Sequence, residues 1–212
     1  MPNQNSDPKS SFGPYANRWI ALFQGRVIGV GATRSRALAA ANQNRPKDKP
    51  ALWFVGDQGQ LMMIPIKTLA RRVSQFPLLA QTLEILRRRR IEAYLVGGPV
   101  RDLLLGRARI IDFDFAVPGD GLSVARQVAD TLGAAFYPLD PQRGTGRIVH
   151  QRDDTPLYLD FASFRGPTLE ADLRDRDFTI NAIALGPASE LQLHDPLQGQ
   201  RDLAAGSIRA KS

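Results

Sequence analysis

Two aspartates one residue apart stand inside a strongly apolar stretch, Ile110-Ile111-Asp112-Phe113-Asp114-Phe115-Ala116-Val117. Such a run predicts a β-strand over 111–117. Side chains alternate along a strand, so Asp112 and Asp114 share one face while Phe113 and Phe115 fill the other. Carboxylates held side by side repel, and among apolar neighbours they need a cation to neutralise them. Hard oxygen donors select Mg²⁺ or Mn²⁺ over zinc. The alternative is a pair of solvated aspartates at a strand end. A third carboxylate, Asp160, sits in another apolar strand, Leu157-Tyr158-Leu159-Asp160-Phe161. Were that strand to pair beside the first, three carboxylates would surround two ions, the arrangement for in-line phosphoryl transfer. One ion would lower the pKa of an attacking hydroxyl and the other would hold a triphosphate and its leaving group. Read alone, Asp160 is equally a strand-edge charge.

Groups suited to phosphate lie on either side. In Val96-Gly97-Gly98-Pro99-Val100-Arg101-Asp102 a strand enters a double-glycine turn that opens a helix. Glycine lets the backbone approach a phosphate, the helix N-terminus offers N–H groups, and Arg101 adds a charged fork. This is neither a Walker A loop nor G-x-G-x-x-G, and an ordinary strand-to-helix turn would look the same. Downstream, Arg174-Asp175-Arg176-Asp177-Phe178-Thr179-Ile180-Asn181-Ala182-Ile183-Ala184 reads as polar residues opening an apolar helix. Arg176 could meet phosphate or ribose and Asp177 a ribose hydroxyl; a helix cap followed by a core helix needs neither role.

The elements that must position these residues divide into two sets. Residues 1–14 read as a disordered tail. Residues 15–57 read as a small ββαβ module: strand Trp19–Phe23, a Gln24-Gly25 turn, strand Arg26–Val30, a helix capped by Thr33 running to about Asn42, and strand Ala51–Val55. No catalytic constellation falls in it, which suits packing or docking. Residues 58–75 look like a linker with a short apolar element. Over 76–212 the expected order is a helix to Arg90, strand Ala93–Val96, helix Val100–Leu105, strand Ile111–Val117, helix Leu122–Leu132, strands Ala134–Tyr137, Arg147–Val149 and Leu157–Phe161, and a last helix Phe178–Leu185. Strands and helices mix without strict alternation, so the fold class is α+β, a mixed sheet backed by helices.

Composition excludes several alternatives. The 212 residues include no cysteine and only two histidines, His150 and His194. A disulfide scaffold, a cysteine zinc site and a histidine-rich metal cluster are therefore ruled out. The formal charge of +7 favours nucleic acid or an anionic surface as partner, although a merely basic surface would show the same balance. The polar start is not a signal peptide and no run of about 18 apolar residues appears, so the expectation is a bacterial-type cytosolic protein with no membrane partner. Arg87–Arg90 could contact RNA phosphates, or form a solvated helix end.

Taken in order, Gly97-Gly98-x-Val100-Arg101-Asp102-x-Leu104-Leu105-Gly106, then Asp112-x-Asp114, then Arg176-Asp177-Phe178-Thr179-Ile180-Asn181-Ala182 resembles the class II tRNA nucleotidyltransferase and bacterial poly(A) polymerase family over about 76–210. Leu139-Asp140-Pro141-Gln142-Arg143-Gly144-Thr145 and Asp195-Pro196-Leu197 fit the same head domain. The resemblance implies a polymerase-β-type palm with Mg²⁺ (or Mn²⁺) on Asp112 and Asp114 and Asp160 in the block that supplies the third catalytic carboxylate. It also implies nucleotide contacts from Gly97, Gly98, Arg101, Arg176, Asp177 and Asn181. The activity it implies is template-independent transfer of AMP or CMP from ATP or CTP to an RNA 3′-hydroxyl, that of tRNA above all. One departure is local: Asp175 precedes Arg176 where the family often has a second arginine. The other is length. Helical neck, body and tail follow the family's head, whereas this sequence stops at Ser212, where a neck would begin. The alternative expectation is accordingly a truncated, non-catalytic nucleotide- and metal-binding headpiece, or a subunit needing a separate chain that supplies neck and body.

Overall fold

The computed structural model describes residues 12–152, 155–186 and 191–210. The expected disordered tail lies, up to residue 11, outside the described residues; its last residues enter a 3₁₀ turn, Gly13–Tyr15. The chain forms two units, residues 1–68 and 69–212. None of the described helices is long and apolar enough to cross a membrane.

The first unit contains β1 (Trp19–Phe23), β2 (Arg26–Gly31), α1 (Arg34–Asn44), β3 (Ala51–Val55) and β4 (Leu61–Met62) in an antiparallel sheet of order β2-β1-β3-β4. The Thr33 side chain accepts a hydrogen bond from the Arg36 backbone N–H at 3.2 Å, capping α1. α1 lies so close to β2 that a Cβ at Gly29 would fall 2.3 Å from the Ala37 carbonyl oxygen, so glycine is required there. Ile20, Trp53 and Val55 form the buried core.

The second unit is built on a seven-stranded sheet of order β11-β10-β5-β6-β9-β8-β7. Its strands are β5 (Tyr94–Val96), β6 (Asp112–Val117), β7 (Ala135–Asp140), β8 (Thr145–Arg152), β9 (Thr155–Ser163), β10 (Ala184–Gly186) and β11 (Gln192–His194). β6 and β9 run parallel; the other neighbours are antiparallel, giving the expected mixed sheet. Its helices are α2 (Ile66–Val73), which begins just before the unit, α3 (Pro77–Arg89), α4 (Gly98–Leu105), α5 (Gly121–Leu132), α6 (Leu169–Arg174) and α7 (Gly199–Ala205). Phe113, Phe115, Leu159 and Phe161 are buried on one face of the sheet, with Phe115 and Phe161 stacked at 4.6 Å and Phe76 edge-on to Phe113. On the other face Val96, Ala116 and Ala184 pack under Leu173 and Ala182.

Two expectations change. Residues 58–75 were expected as a linker, yet they hold β4, paired to β3, and α2, whose Leu69 and Val73 are buried. The helix expected over 178–185 is instead a 3₁₀ turn, Thr179–Asn181, followed by β10 between β5 and β11. An apolar run of this length suits a short helix or a buried strand equally, and here the sheet claims it.

α2 has a definite task. The Arg72 guanidinium donates to the carbonyl oxygens of Leu103 (2.7 Å) and Leu104 (2.6 Å) in the last turn of α4. The Leu103 carbonyl also accepts the backbone N–H of Gly106, the residue that caps α4, at 3.1 Å, and a cation there opposes the negative end of the helix dipole. Arg72→Ala is expected to cost about 2 kcal/mol of unfolding free energy, the value of charge-assisted bonds to half-buried groups. Urea denaturation checks it, and a change below about 0.5 kcal/mol would show the clamp to be idle.

Candidate nucleotidyl-transfer site

The strand expectation holds in its geometry. Asp112 is exposed and Asp114 half-buried on one face of β6, while Phe113 and Phe115 are buried on the other. Asp160 stands directly opposite Asp114 in the parallel pairing of β6 and β9. Its two oxygens, however, are taken by Arg147 of β8, at 2.8 Å from Nε and 2.6 Å from Nη2. That guanidinium also lies over the Tyr158 ring, 4.9 Å from its centre. Asp160 is 17% exposed, so the pair is largely withdrawn from water and Asp160 already has a counter-charge. The three carboxylates are therefore adjacent without being equivalent. Among the described residues no group of three or more acidic or histidine side chains is arranged as a ready cation site.

Asp112 and Asp114 still fit a hard cation. Burial first, then Asp160 and Asp112, push the Asp114 carboxyl above its usual range, while Arg176 and Arg147 pull it down. A divalent ion on this face would relieve that penalty.

The glycine turn adjoins the same end of β6. Tyr94 is opposite Ala116 and Leu95 opposite Phe115, so the chain leaves β5 at the end of β6 that carries the aspartates. Gly97 has φ +76°, a region that glycine enters without strain. Gly98 opens α4, and a Cβ there would lie 3.6 Å from an Arg101 terminal nitrogen. Arg101 donates to the Asn181 side-chain oxygen at 2.8 Å and to Asp102 at 3.0 Å. A Cβ at Gly97 would lie 3.1 Å from Arg176 Nη1, so both arginines border the turn. Asp177 is exposed beside Arg176. Gly97, Gly98, Arg101, Arg176 and Asn181 thus gather at one edge of the carboxylate face, while Asp177 is placed there only as the neighbour of Arg176 in the chain.

Two partners escaped sequence reasoning. Asp172 on α6, 2% exposed, accepts from Arg176 (3.0 and 3.3 Å) and from the Arg165 backbone N–H (3.0 Å), fixing the guanidinium toward Gly97. Its signal was the four-residue helical spacing to Arg176. Arg147 had no signal before the strand register was known. At the departure, the Asp175 carboxylate lies 3.8 Å from the Arg165 guanidinium. Of the Arg87–Arg90 run, Arg87 and Arg88 are tied to Glu84, whose carboxyl they pull down to about 2.

Several known proteins are similar to this chain. The chain is 46% identical over 120 residues to a CC-adding tRNA nucleotidyltransferase of Geobacter sulfurreducens, covering 57% of this chain and 27% of that protein. It is 46% identical over 123 residues to an A-adding tRNA nucleotidyltransferase of Deinococcus radiodurans, covering 57% and 26%. The chain thus spans about a quarter of the length of these relatives. Among solved structures, the Thermotoga maritima CCA-adding enzyme complexed with tRNA superposes with a TM-score of 0.60 at 32% identity, over 69% of this chain and 35% of that one. A tRNA nucleotidyltransferase complexed with a primer tRNA and an incoming ATP analogue superposes at 0.54 with 36% identity, over 62% and 39%. The poly A polymerase head domain matches residues 93–168 and 162–209, which take in the glycine turn, all three carboxylates and Arg176, and with more than half of its length so matched the chain belongs to that family.

Proposed function

We propose that the second unit is the catalytic head of a template-independent RNA nucleotidyltransferase, working in the cytosol, that transfers AMP or CMP from ATP or CTP to an RNA 3′-hydroxyl, in tRNA above all. The observation that carries this reading is the placing of Asp112 and Asp114 on one strand face, with Asp160 opposite Asp114 and the Gly97-Gly98 turn, Arg101 and Arg176 at the adjoining edge. In the reaction the 3′-oxygen attacks the α-phosphorus, the bond to the β-phosphate oxygen breaks, and pyrophosphate leaves. A divalent ion held by Asp112 and Asp114, Mg²⁺ or Mn²⁺ by the hardness of the donors, would activate the hydroxyl and neutralise the triphosphate. Arg176 and Arg101 would balance the phosphate charge, and the α4 N-terminus would offer it N–H groups. Asp177 and Asn181 would face the sugar. The test is incubation with labelled ATP or CTP, Mg²⁺ and tRNA lacking its CCA end; label on the RNA supports transfer.

One observation favours a second reading, a headpiece that binds nucleotide and metal without turnover, alone or beside another chain. Arg147 occupies both oxygens of Asp160, the third acid of the set. Triphosphate binding with no label transferred would select it.

The groups gathered here address phosphate, metal and ribose, which all nucleoside triphosphates share. Discrimination requires partners for the base edge. Calorimetric titration in Mg²⁺ is expected to give ATP, CTP, GTP and UTP affinities within about tenfold, ~1.4 kcal/mol, of one another. A larger preference would reveal a base-reading pocket in this chain.

A further inference from the structure

One half of the carboxylate face has no part in the site described above. Across β6, β9, β8 and β7 the register lines up Asp114, Asp160, Arg147 and Tyr137 side by side on the same face. Phe136 and Gly146, on the alternate positions, face α5 instead: a Cβ at Gly146 would meet Ala125 and the Phe136 ring. The open side therefore carries Tyr137, 55% exposed, on the edge strand, and Leu139, 51% exposed, follows at an irregularity in the β7–β8 pairing. The Arg147 guanidinium, layered over Tyr158, lies between them and the aspartates. An exposed tyrosine on an edge strand, with a leucine two residues on, offers a flat apolar surface to a partner.

Resting on the proposed transfer reaction, we infer that this strip, Tyr158-Arg147-Tyr137 with Leu139 at its rim, is the platform on which the unpaired 3′ end of the acceptor RNA lies. Three lines of reasoning meet here. In-line displacement requires the attacking oxygen to come from the side opposite the departing pyrophosphate. The triphosphate groups Gly97, Gly98, Arg101 and Arg176 lie on the β5 side of β6, so the acceptor must enter from the β9 side. The surface there has the right chemistry, because single-stranded bases stack on tyrosine rings and on guanidinium planes without regard to sequence. Arg143, at the β7–β8 turn, 84% exposed and only loosely paired with Asp140 at 3.8 Å, can turn its charge to the phosphates. The length also fits. Three strand spacings separate Asp114 from Tyr137, about 14 Å, which spans about four stacked nucleotides at ~3.4 Å each. Arg147 then has two duties, neutralising Asp160 and offering its upper face to a base.

The test uses the full chain and a short RNA hairpin whose unpaired 3′ tail carries 2-aminopurine, a base that loses fluorescence when stacked. Wild type and Tyr137→Phe are expected to bind the tailed hairpin and quench it, since stacking needs the ring and not the hydroxyl. Tyr137→Ala should bind about tenfold more weakly and abolish the quenching, with an unchanged melting temperature because the ring packs against solvent. Equal binding and quenching by wild type and Tyr137→Ala, or equal binding of a blunt hairpin, would overturn the platform, as would a wild type that binds no tailed RNA. The rise in melting temperature with ATP and Mg²⁺, measured on the same samples, separates the two claims. If it persists while Tyr137→Ala behaves as wild type, the platform is wrong and the nucleotide site stands; if wild type shows no rise, the nucleotide site on which the transfer reading rests falls first.

Discussion

Asp112→Ala and Asp114→Ala are each expected to abolish Mg²⁺-dependent triphosphate binding while leaving the cation-free protein as stable as wild type or more so. The sign follows from the electrostatics of the pair. Burial, Asp160 and Asp112 raise the Asp114 carboxyl above its ordinary value of 3.8, against the pull of Arg176 and Arg147. The folded state thus holds this proton more tightly than the unfolded chain does. Ionised Asp114 therefore costs stability, and the cost grows as pH rises from about 3.8 through the raised value and is complete above it. In chelator, Asp114→Asn should raise the melting temperature at pH 7 but not at pH ~3, where the acid is protonated in both states. With triphosphate and Mg²⁺ at about a hundred times the dissociation constant, wild type gains ~2.7 kcal/mol, and neither alanine variant should gain anything. Should both keep the whole ligand-induced shift, the cation binds elsewhere.

The second large effect is expected at a residue that touches no substrate. Asp172→Ala should cost about 3 kcal/mol of stability and about tenfold in triphosphate affinity. Its carboxylate is buried, 2% exposed, and pairs with Arg176, itself 18% exposed, while also accepting the Arg165 N–H. Deleting one partner of such a pair strands the other charge away from water, the most destabilising way to break it. It also frees Arg176 to leave the Gly97 turn, so binding falls with stability. Glu170→Ala is the control: its pair with Arg174 is exposed on both sides, 60% and 55%, and should be worth less than about 0.5 kcal/mol. Equal losses for the two variants in denaturation and titration would remove the special role of Asp172.

These two residues mark the boundary of what the sequence makes legible. Strand alternation alone puts Asp112 and Asp114 on one face, and turn and cap chemistry places the Gln24-Gly25 hairpin and the Thr33 cap, because each depends on neighbours in the chain. The pairing that sets Asp160 beside Asp114 could be posed only as a condition. Arg147 could not be foreseen at all, since its partner is chosen by the register of β8 on β9. Local pattern also fails where context outweighs it. Residues 184–186 sit between two strands, buried throughout, so the sheet imposes an extended form on a run that a helix would suit equally. α6, β11 and α7 are three to seven residues long, too short to leave a periodic trace.

The parallel pairing of β6 with β9 has a consequence for how the head comes into being on the ribosome. β9 reaches its place only after α5, β7 and β8 have been made, and until then β6 has a single sheet neighbour, β5. Contacts of such long sequence separation close late, because the intervening loop must be ordered first. A nascent chain that has exposed the glycine turn and both aspartates of β6 therefore holds no fixed floor for them, and triphosphates, abundant around every ribosome, meet a site that does not yet exist. Arg176 and its partner Asp172 follow β9 in the chain, so a site of the proposed kind is complete only after that strand and the segment behind it have both joined the sheet.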